Sequence, residues 1–458
     1  MKHSTLELSK NSVVVVGSGL VGSLWAIFLA KRGYEVHLFE RRGDMRKAGY
    51  VGGRSINLAM SVRGWKAIEA TGIQETIQKV ALPMSGRMMH NVEGKLTYQA
   101  YGKSDEAIYS VSRGLLNLEL LKLAGAFPNV HLYFEHKCTH ISEAGDEIDF
   151  EVGIDGAKLT VKSPVIFAAD GAFSAVRQTI QKTARFNYQQ DYLEHGYKEL
   201  TILPNADGTH QLDVNALHIW PRNSFMMIAL PNVDGSFTCT MFHPFDGEEG
   251  LDALNTDEKI MSFFQKYYPD VLPLMPNLVD DFKKNPSSTL VTVRCSPWNY
   301  KNSVLLIGDA AHAIVPFYGQ GMNAGFEDCT ILNELIDEHG GDWEKILTVF
   351  NATRIKDGNA IATLALRNFV EMRDLVADPM FLLRKKIAAN LHQKFPDKFL
   401  PVYSMISFSN TPYSVALHEE DAQNELFKEI LAIPDIESDW DGAQVDAIFE
   451  QWYAARQQ

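Results

Sequence analysis

The chain has 458 residues, 46% of them hydrophobic and 22% charged, with a formal net charge of −14. That length exceeds one ordinary core, so two or three domains are expected, and the acidic balance argues against a nucleic-acid or anionic-membrane partner. The four cysteines (Cys138, Cys239, Cys295, Cys329) lie far apart without a C-x-x-C pair, which excludes a zinc ribbon and points to buried free thiols in a reducing compartment. No Cys/His ligand cluster is visible, so no metal is expected. The uncharged run 13–30 after Lys10 imitates a signal peptide, but its glycines and the lack of an A-x-A-like cleavage site argue otherwise. No other stretch is long and apolar enough to span a bilayer. A cytoplasmic protein is expected, and the Asn351-Ala352-Thr353 sequon is then idle.

In chain order, valines 13–16 predict a strand, GSGLVG (17–22) a turn, and an apolar helix runs on to about Lys31. A second strand, 35–39, ends at Glu40. This is a dinucleotide fingerprint in its required context: Gly17 for the tight turn, Gly19 for the pyrophosphate, Gly22 for helix–strand packing, Glu40 for a ribose hydroxyl. Leu20 and Arg41 flank these contacts. The motif does not separate NAD from FAD. Next, GGRSINLA (52–59) is a glycine loop delivering Arg54 and leading to Ala59, suited to a pyrophosphate or a flavin edge.

Arg87 and Tyr101 lie on apolar, strand-like runs (84–90 and 96–101), where an arginine between methionines is either snorkelling or an anion clamp. Arg113 opens a helical pattern, and a strand at about 130–138 places backbone near Cys138 where it could edge an adenine ring. The strand 165–169 ends in Asp170-Gly171, again an acid and a glycine at a strand's carboxyl end.

From about 181 to 290 the texture becomes alternating and turn-rich. A hairpin around 232–235, with Phe237, Cys239 and Met241 on one face, suggests an antiparallel sheet serving as a lid over something aromatic or apolar. His218 reads as core rather than ligand. The apolar run 304–307 predicts a buried strand ending at Gly308-Asp309, and the Gly319-Gln320-Gly321 cluster precedes a helix from about Met322. Asp309 can accept from sugar-type hydroxyls, and the free N–H groups of the helix start favour an electron-rich group. Beyond this the chain reads as largely helical. Asn368 and Tyr403 are polar residues among apolar neighbours.

Three glycine-rich or acid–glycine elements at strand ends (17–22, 170–171, 308–309) suggest one dinucleotide threading all three. GSGLVG with FER, DGAFSAVR, and GDAAHAIVPFYGQGMN resemble the fingerprints of the single-component, FAD-dependent aromatic hydroxylases. GRSINLAMS, HIWPRNSFMMIALP, NFVEMR and YSMISFS resemble the branch acting on L-kynurenine, and the likeness runs from about residue 11 to 415.

The resemblance implies an α/β fold, with a Rossmann-like FAD-binding domain (1–75, 105–180 and 290–365), an antiparallel β-sheet substrate domain (76–104 and 181–289) and a helical C-terminal region (366–458). It implies non-covalent FAD, NADPH as co-substrate without a domain of its own, and O2 activated as a flavin C4a-hydroperoxide. The implied product is 3-hydroxy-L-kynurenine, within tryptophan degradation. By the matching motifs, Arg87, Tyr101, Asn368 and Tyr403 hold the substrate's carboxylate and nearby polar groups. Residues around Phe317 and Tyr318 help enclose the ring. Arg54, Arg113, Asp309, Gly321, Met322 and Asn323 fall on flavin-contacting positions. Eukaryotic members carry a hydrophobic membrane-anchoring tail where this chain is acidic and polar, so membrane attachment is not carried over. The rival readings are a hydroxylase of phenols or benzoates, which the Arg87, Tyr101 and Tyr403 set speaks against, and a non-enzymatic binder on the same scaffold, which the intact Asp309 and GQGMN loop disfavour.

Overall fold

A computed structural model describes residues 3–48, 56–101, 106–375 and 378–457. The valine run forms the strand Ser12–Val16, buried at every residue, as a strand covered on both faces must be. It sits inside a six-stranded sheet ordered Asn299–Tyr300, Val304–Leu306, Ile166–Ala168, Ser12–Val16, Glu35–Phe39, Val130–Tyr133. Every neighbouring pair is parallel except the first. The three motif-bearing strands therefore all deliver their carboxyl ends, at Gly17, Asp170 and Gly308-Asp309, to the same edge.

The strand expected at 130–138 is two strands in two sheets. Val130–Tyr133 closes the parallel sheet, while His136–Ile141 joins a four-stranded sheet with Glu147–Val152, Ala157–Lys162 and the N-terminal His3–Glu7. Glu135, at φ 59°, turns the chain between them, a left-handed conformation that ends a strand.

The second large sheet has seven strands: Ser288–Ser296, Asn187–Ile202, Phe237–Pro244, Phe225–Pro231, Ala216–Arg222, Gly86–His90 and Leu96–Ala100. The predicted hairpin is present, pairing Met226 with Phe242. The sheet is not wholly antiparallel, because Gly86–His90 runs parallel to Ala216–Arg222. Those strands come from distant segments, so no tight turn forces them to oppose. Phe237, Cys239 and Met241 do share one face, and they pack with the helices Asp257–Tyr267 and Leu278–Lys284. The opposite face, with Met89, Ile219, Met226 and Phe242, looks onto Phe317 and Phe369.

The 28-residue helix Trp343–Val370 joins the two halves. Leu347 and Phe350 belong to the core of the parallel sheet, Ala365 and Phe369 to that of the seven-stranded one. The C-terminal helices have their own apolar cluster, including Ile387, Leu391, Phe427 and Phe449. Among the described residues no helix is long and apolar enough to cross a membrane.

His218 is a core residue, as expected. Its Nε2 faces the Asp213 carbonyl at 2.9 Å and must donate, which leaves Nδ1 to accept from His90 Nε2, also at 2.9 Å. Burial, which the Asp213 carbonyl opposes and His90 reinforces, pushes the pKa of His218 down from 6.5 to about 4. Between those values the unfolded chain binds a proton that the fold refuses, so stability declines as pH falls through this window. Urea midpoints measured from pH 7 to 4 should show that decline, and His218→Gln should make it shallower.

Candidate active site

The glycines of the first loop are fixed by contact. Gly17 has φ +98°, and a Cβ there would lie 2.5 Å from the Ala169 carbonyl oxygen. A Cβ on Gly22 would meet the Gly17 carbonyl at 1.9 Å, whereas one on Gly19 would face open space. The loop is thus closed against the sheet and open outward, where the uncapped N–H groups of Leu20–Lys31 point. Glu40 holds it there: Oε2 accepts from Ser18 N at 3.0 Å and Ser18 Oγ at 3.2 Å, and Oε1 from Arg42 N and Nε, both at 2.9 Å. A ribose hydroxyl at Glu40 would displace the exposed Arg42 or the Ser18 hydroxyl. Burial works to raise the pKa of Glu40, but the Arg42 and Ser18 donors outweigh it and hold it below the usual value.

Asp170 caps the next element, accepting from Ala175 N at 2.8 Å and Val176 N at 3.3 Å through Oδ2. Its Oδ1 is buried without a partner. Cys138 is buried close enough to Asp170 that burial and that carboxylate together push its thiol pKa up.

At the third strand end, Asp309 is exposed. The loop before it is anchored from behind by Asp328, a residue that the sequence reading passed over. Asp328 Oδ2 accepts from Gly308 N at 2.9 Å and from His312 Nε2 at 2.7 Å, while Oδ1 accepts from Arg354 Nε at 2.8 Å. Burial would raise the pKa of Asp328, but His312 and Arg354 hold it below the ordinary value. Asn323 is wholly buried and staples the glycine loop: Oδ1 accepts from Ser61 N at 2.9 Å, and Nδ2 donates to Ala59 O and Gly319 O, both at 2.8 Å. Its side chain is therefore engaged within the protein. What Gly321, Met322 and Asn323 leave for a ligand are the backbone N–H groups of an uncapped helix start, Gly321–His339.

These features fit FAD: two uncapped helix starts, an orphan acceptor at Asp170, an exposed acid at Asp309 and an open face at Gly19. Arg41 is exposed and directly follows Glu40, and the exposed Arg113 donates its backbone N–H to the Ile56 carbonyl. Arg54 lies outside the described residues.

The second half of the site is a cage of aromatic rings around Arg87. Its guanidinium carbon sits 4.8 Å from the Tyr403 ring centroid and 5.5 Å from that of Tyr101. Those two rings stack at 5.3 Å, and Tyr318 stacks on Tyr403 at 5.7 Å. Arg87 Nε and Tyr101 Oη are buried with no hydrogen-bond partner. Desolvation opposes the charge of Arg87, yet Tyr403, Tyr101 and the carboxylate of Glu371 outweigh it, so its pKa is raised. Burial first, then Tyr403, keeps the Tyr101 phenol protonated far above neutral pH; burial with Glu371 and Glu420 does the same for Tyr318. Glu371, missed in the sequence, also pairs with Lys385 at 2.8 Å. Only its place one helical turn after Asn368 could have flagged it.

Asn368 donates to the Phe317 carbonyl at 2.7 Å, anchoring the turn Pro316–Tyr318. Phe317 goes into the core, stacked on Phe369 at 4.3 Å and tilted against Phe242 at 4.8 Å. It forms the wall behind the pocket, while Tyr318 joins the tyrosine stack.

The FAD binding domain family matches residues 10–343. The fold is similar to that of a tetrameric 2-methyl-3-hydroxypyridine-5-carboxylic acid oxygenase, with TM-score 0.65 and 17% identity, covering 80% of this chain and 94% of that one. It is also similar to p-nitrophenol 4-monooxygenase from Pseudomonas putida, with TM-score 0.65 and 18% identity, covering 91% and 98%. The family match and the cofactor edge together define an FAD-binding protein. Kynurenine 3-monooxygenase of Flavobacterium johnsoniae is 48% identical over 434 residues, 95% of this chain and 97% of that protein. The enzymes of the same name from Anopheles gambiae and Sus scrofa are 44% and 42% identical, covering 94% and 90% of this chain and 88% and 87% of theirs. The chain belongs to the kynurenine 3-monooxygenase family.

Removing the Asp309 carboxylate, in Asp309→Ala, should weaken FAD retention by about 1.5–3 kcal/mol, the worth of a charge-assisted hydrogen bond, read by equilibrium dialysis of the flavin. Asp328→Asn removes the charge that meets Gly308, His312 and Arg354 while Glu327 still pairs with Arg354, and should cost about 1–3 kcal/mol of stability in urea unfolding.

Proposed function

We propose that this protein hydroxylates L-kynurenine to 3-hydroxy-L-kynurenine, consuming NADPH and O2, and that Arg87 binds the substrate's α-carboxylate. The observation that carries the carboxylate assignment is the arginine itself: a buried guanidinium with an unpartnered Nε, beside an unpartnered Tyr101 hydroxyl. The charge is already favoured by its surroundings, and the buried Nε keeps a donor free that an incoming carboxylate can take up. Tyr101 and Tyr403 supply further hydroxyls around the same point, and Asn368 and Tyr318 close the pocket behind them. The reaction balances as one O2, one NADPH and one proton, giving the hydroxylated product, NADP+ and water.

Bound FAD supplies the chemistry of oxygen activation, taking its electrons from NADPH. The chain's part is to bind, orient and keep water out. The aniline nitrogen of kynurenine already enriches the adjacent ring carbon, so no residue has to deprotonate a phenol. The protonated Tyr101 and Tyr318 suit a site that holds rather than ionises. The apolar face with Met89, Ile219, Met226 and Phe242, backed by Phe317, supplies a dry wall. In this reading 1–75, 105–180 and 290–365 form the cofactor domain, 76–104 and 181–289 the substrate domain, and 366–458 the helical region that completes the pocket. Four free, buried cysteines support a reducing, cytoplasmic setting.

Arg87→Met keeps the apolar stem but leaves the carboxylate unpaired, and should cost about 3–5 kcal/mol in kcat/KM for L-kynurenine. Arg87→Lys should recover only part of that, because an ammonium lacks the planar fork. FAD content should stay normal in both. NADPH oxidation followed with and without L-kynurenine, with peroxide measured alongside, checks this. Equal turnover by wild type and Arg87→Met would show that the carboxylate is bound elsewhere.

A further inference from the structure

At the end of the parallel sheet remote from the cofactor edge, the fold assembles a side-chain cluster that no linear spacing announces. Glu35 and His37 alternate on Glu35–Phe39 and so share a face. The register of the neighbouring edge strand sets His131 directly across from His37, with the two imidazoles stacked at 4.8 Å. His131 Nε2 lies 3.2 Å from Glu35 Oε1, and His37 Nε2 lies 4.0 Å from the same oxygen. One ligand atom from each of the three residues falls within 4.8 Å of the others.

His37 supplies the independent observation. It is only 5% exposed, yet its Nε2 is buried without a hydrogen-bond partner. An orphaned polar atom of this kind calls for an occupant. Its Nδ1 meets the Tyr133 hydroxyl at 3.2 Å, the outer contact by which metal-ligating imidazoles are commonly oriented. The second oxygen of Glu35 is held by the Ser12 hydroxyl at 3.2 Å.

We propose that Glu35, His37 and His131 form a site for a divalent first-row transition ion of the Zn2+ class, clipping the edge strand Val130–Tyr133 to Glu35–Phe39. Two imidazoles and one carboxylate are a borderline-soft donor set suited to such ions. Ligands at about 2.0–2.1 Å from a tetrahedral ion stand about 3.3 Å apart, so the His131–Glu35 spacing needs no change, while His37 must close from 4.0 Å and turn its ring out of the stack on His131 so that both lone pairs meet one ion. The side chains of His131 and Glu35 are 41% and 45% exposed, leaving an approach for the ion and a place for water. Burial, then the neighbouring His131, push the pKa of His37 down to about 4 against the pull of Glu35, which keeps that ring neutral. The site takes no part in hydroxylation. Glu40, where the same strand reaches the cofactor loop, is roughly 16 Å along the chain at the usual rise per residue.

The test uses the FAD-loaded protein, stripped with a chelator and dialysed, then titrated with Co2+ and with Zn2+. One equivalent of Co2+ should bind with the visible absorption of a low-coordinate site, and Zn2+ should abolish that band. His131→Ala and Glu35→Gln, both at half-exposed positions that tolerate change, should lose binding or weaken it at least about tenfold, the effect that even an outer-sphere partner carries. Flavin content and turnover should be unchanged in these variants. Absence of saturable one-to-one binding in wild type overturns the proposal, and so does unaltered binding in both variants.

Discussion

The carboxylate of Asp328 is the interaction on which the cofactor edge depends. It is fully buried and meets three donors: the Gly308 backbone N–H, the His312 ring and the Arg354 guanidinium. Gly308 has φ +57° and lies against Val21 of the fingerprint helix, where a Cβ would come within 3.0 Å. Asp328 therefore sets how closely the third strand end approaches the first. Arg354 in turn pairs with Glu327 at 2.7 Å, and Glu327 pairs with the buried Arg63. Such a network contributes little as net stability compared with an apolar replacement. Its worth lies in fixing one arrangement of loops that are otherwise glycine and backbone.

Around that frame the two halves of the site divide their work by polarity. The cofactor edge is built of backbone N–H groups and carboxylates at strand ends, which is what phosphates and sugar hydroxyls require. The substrate side is a set of stacked rings around the buried Arg87. The long helix Trp343–Val370 belongs to both cores, so the two halves cannot drift apart without breaking one of them.

What could be read in the sequence was what is local. The turn at Gly17, the packing of Gly22 and the strand Glu35–Phe39 obey spacing rules within one βαβ unit, and all three are present. The likeness to a known family then singled out Arg87, Tyr101 and Tyr403, whose convergence no periodicity could have shown. What stayed hidden depends on long-range partners. Asp328 finds Arg354 only because two helices cross, and the parallel pairing of Gly86–His90 with Ala216–Arg222 joins segments with no turn between them. The break at Glu135 needed only one left-handed residue, which no sequence rule demands. Phe317 packs into the core and the Asn323 side chain binds the backbone of its own loop, partners that the linear sequence does not reveal.

The short helix Val402–Ser407 has a consequence of its own. One side presents Tyr403 to Arg87, while the carbonyl of Ile406 accepts from Arg63 Nε at 3.2 Å. Arg63 also stacks over Tyr413 at 4.0 Å, and Tyr413 donates to Gln320 at 2.9 Å, immediately before the uncapped helix start. These six residues therefore touch both the ring cage around Arg87 and, through Arg63 and Tyr413, the residue that precedes the helix start Gly321–His339.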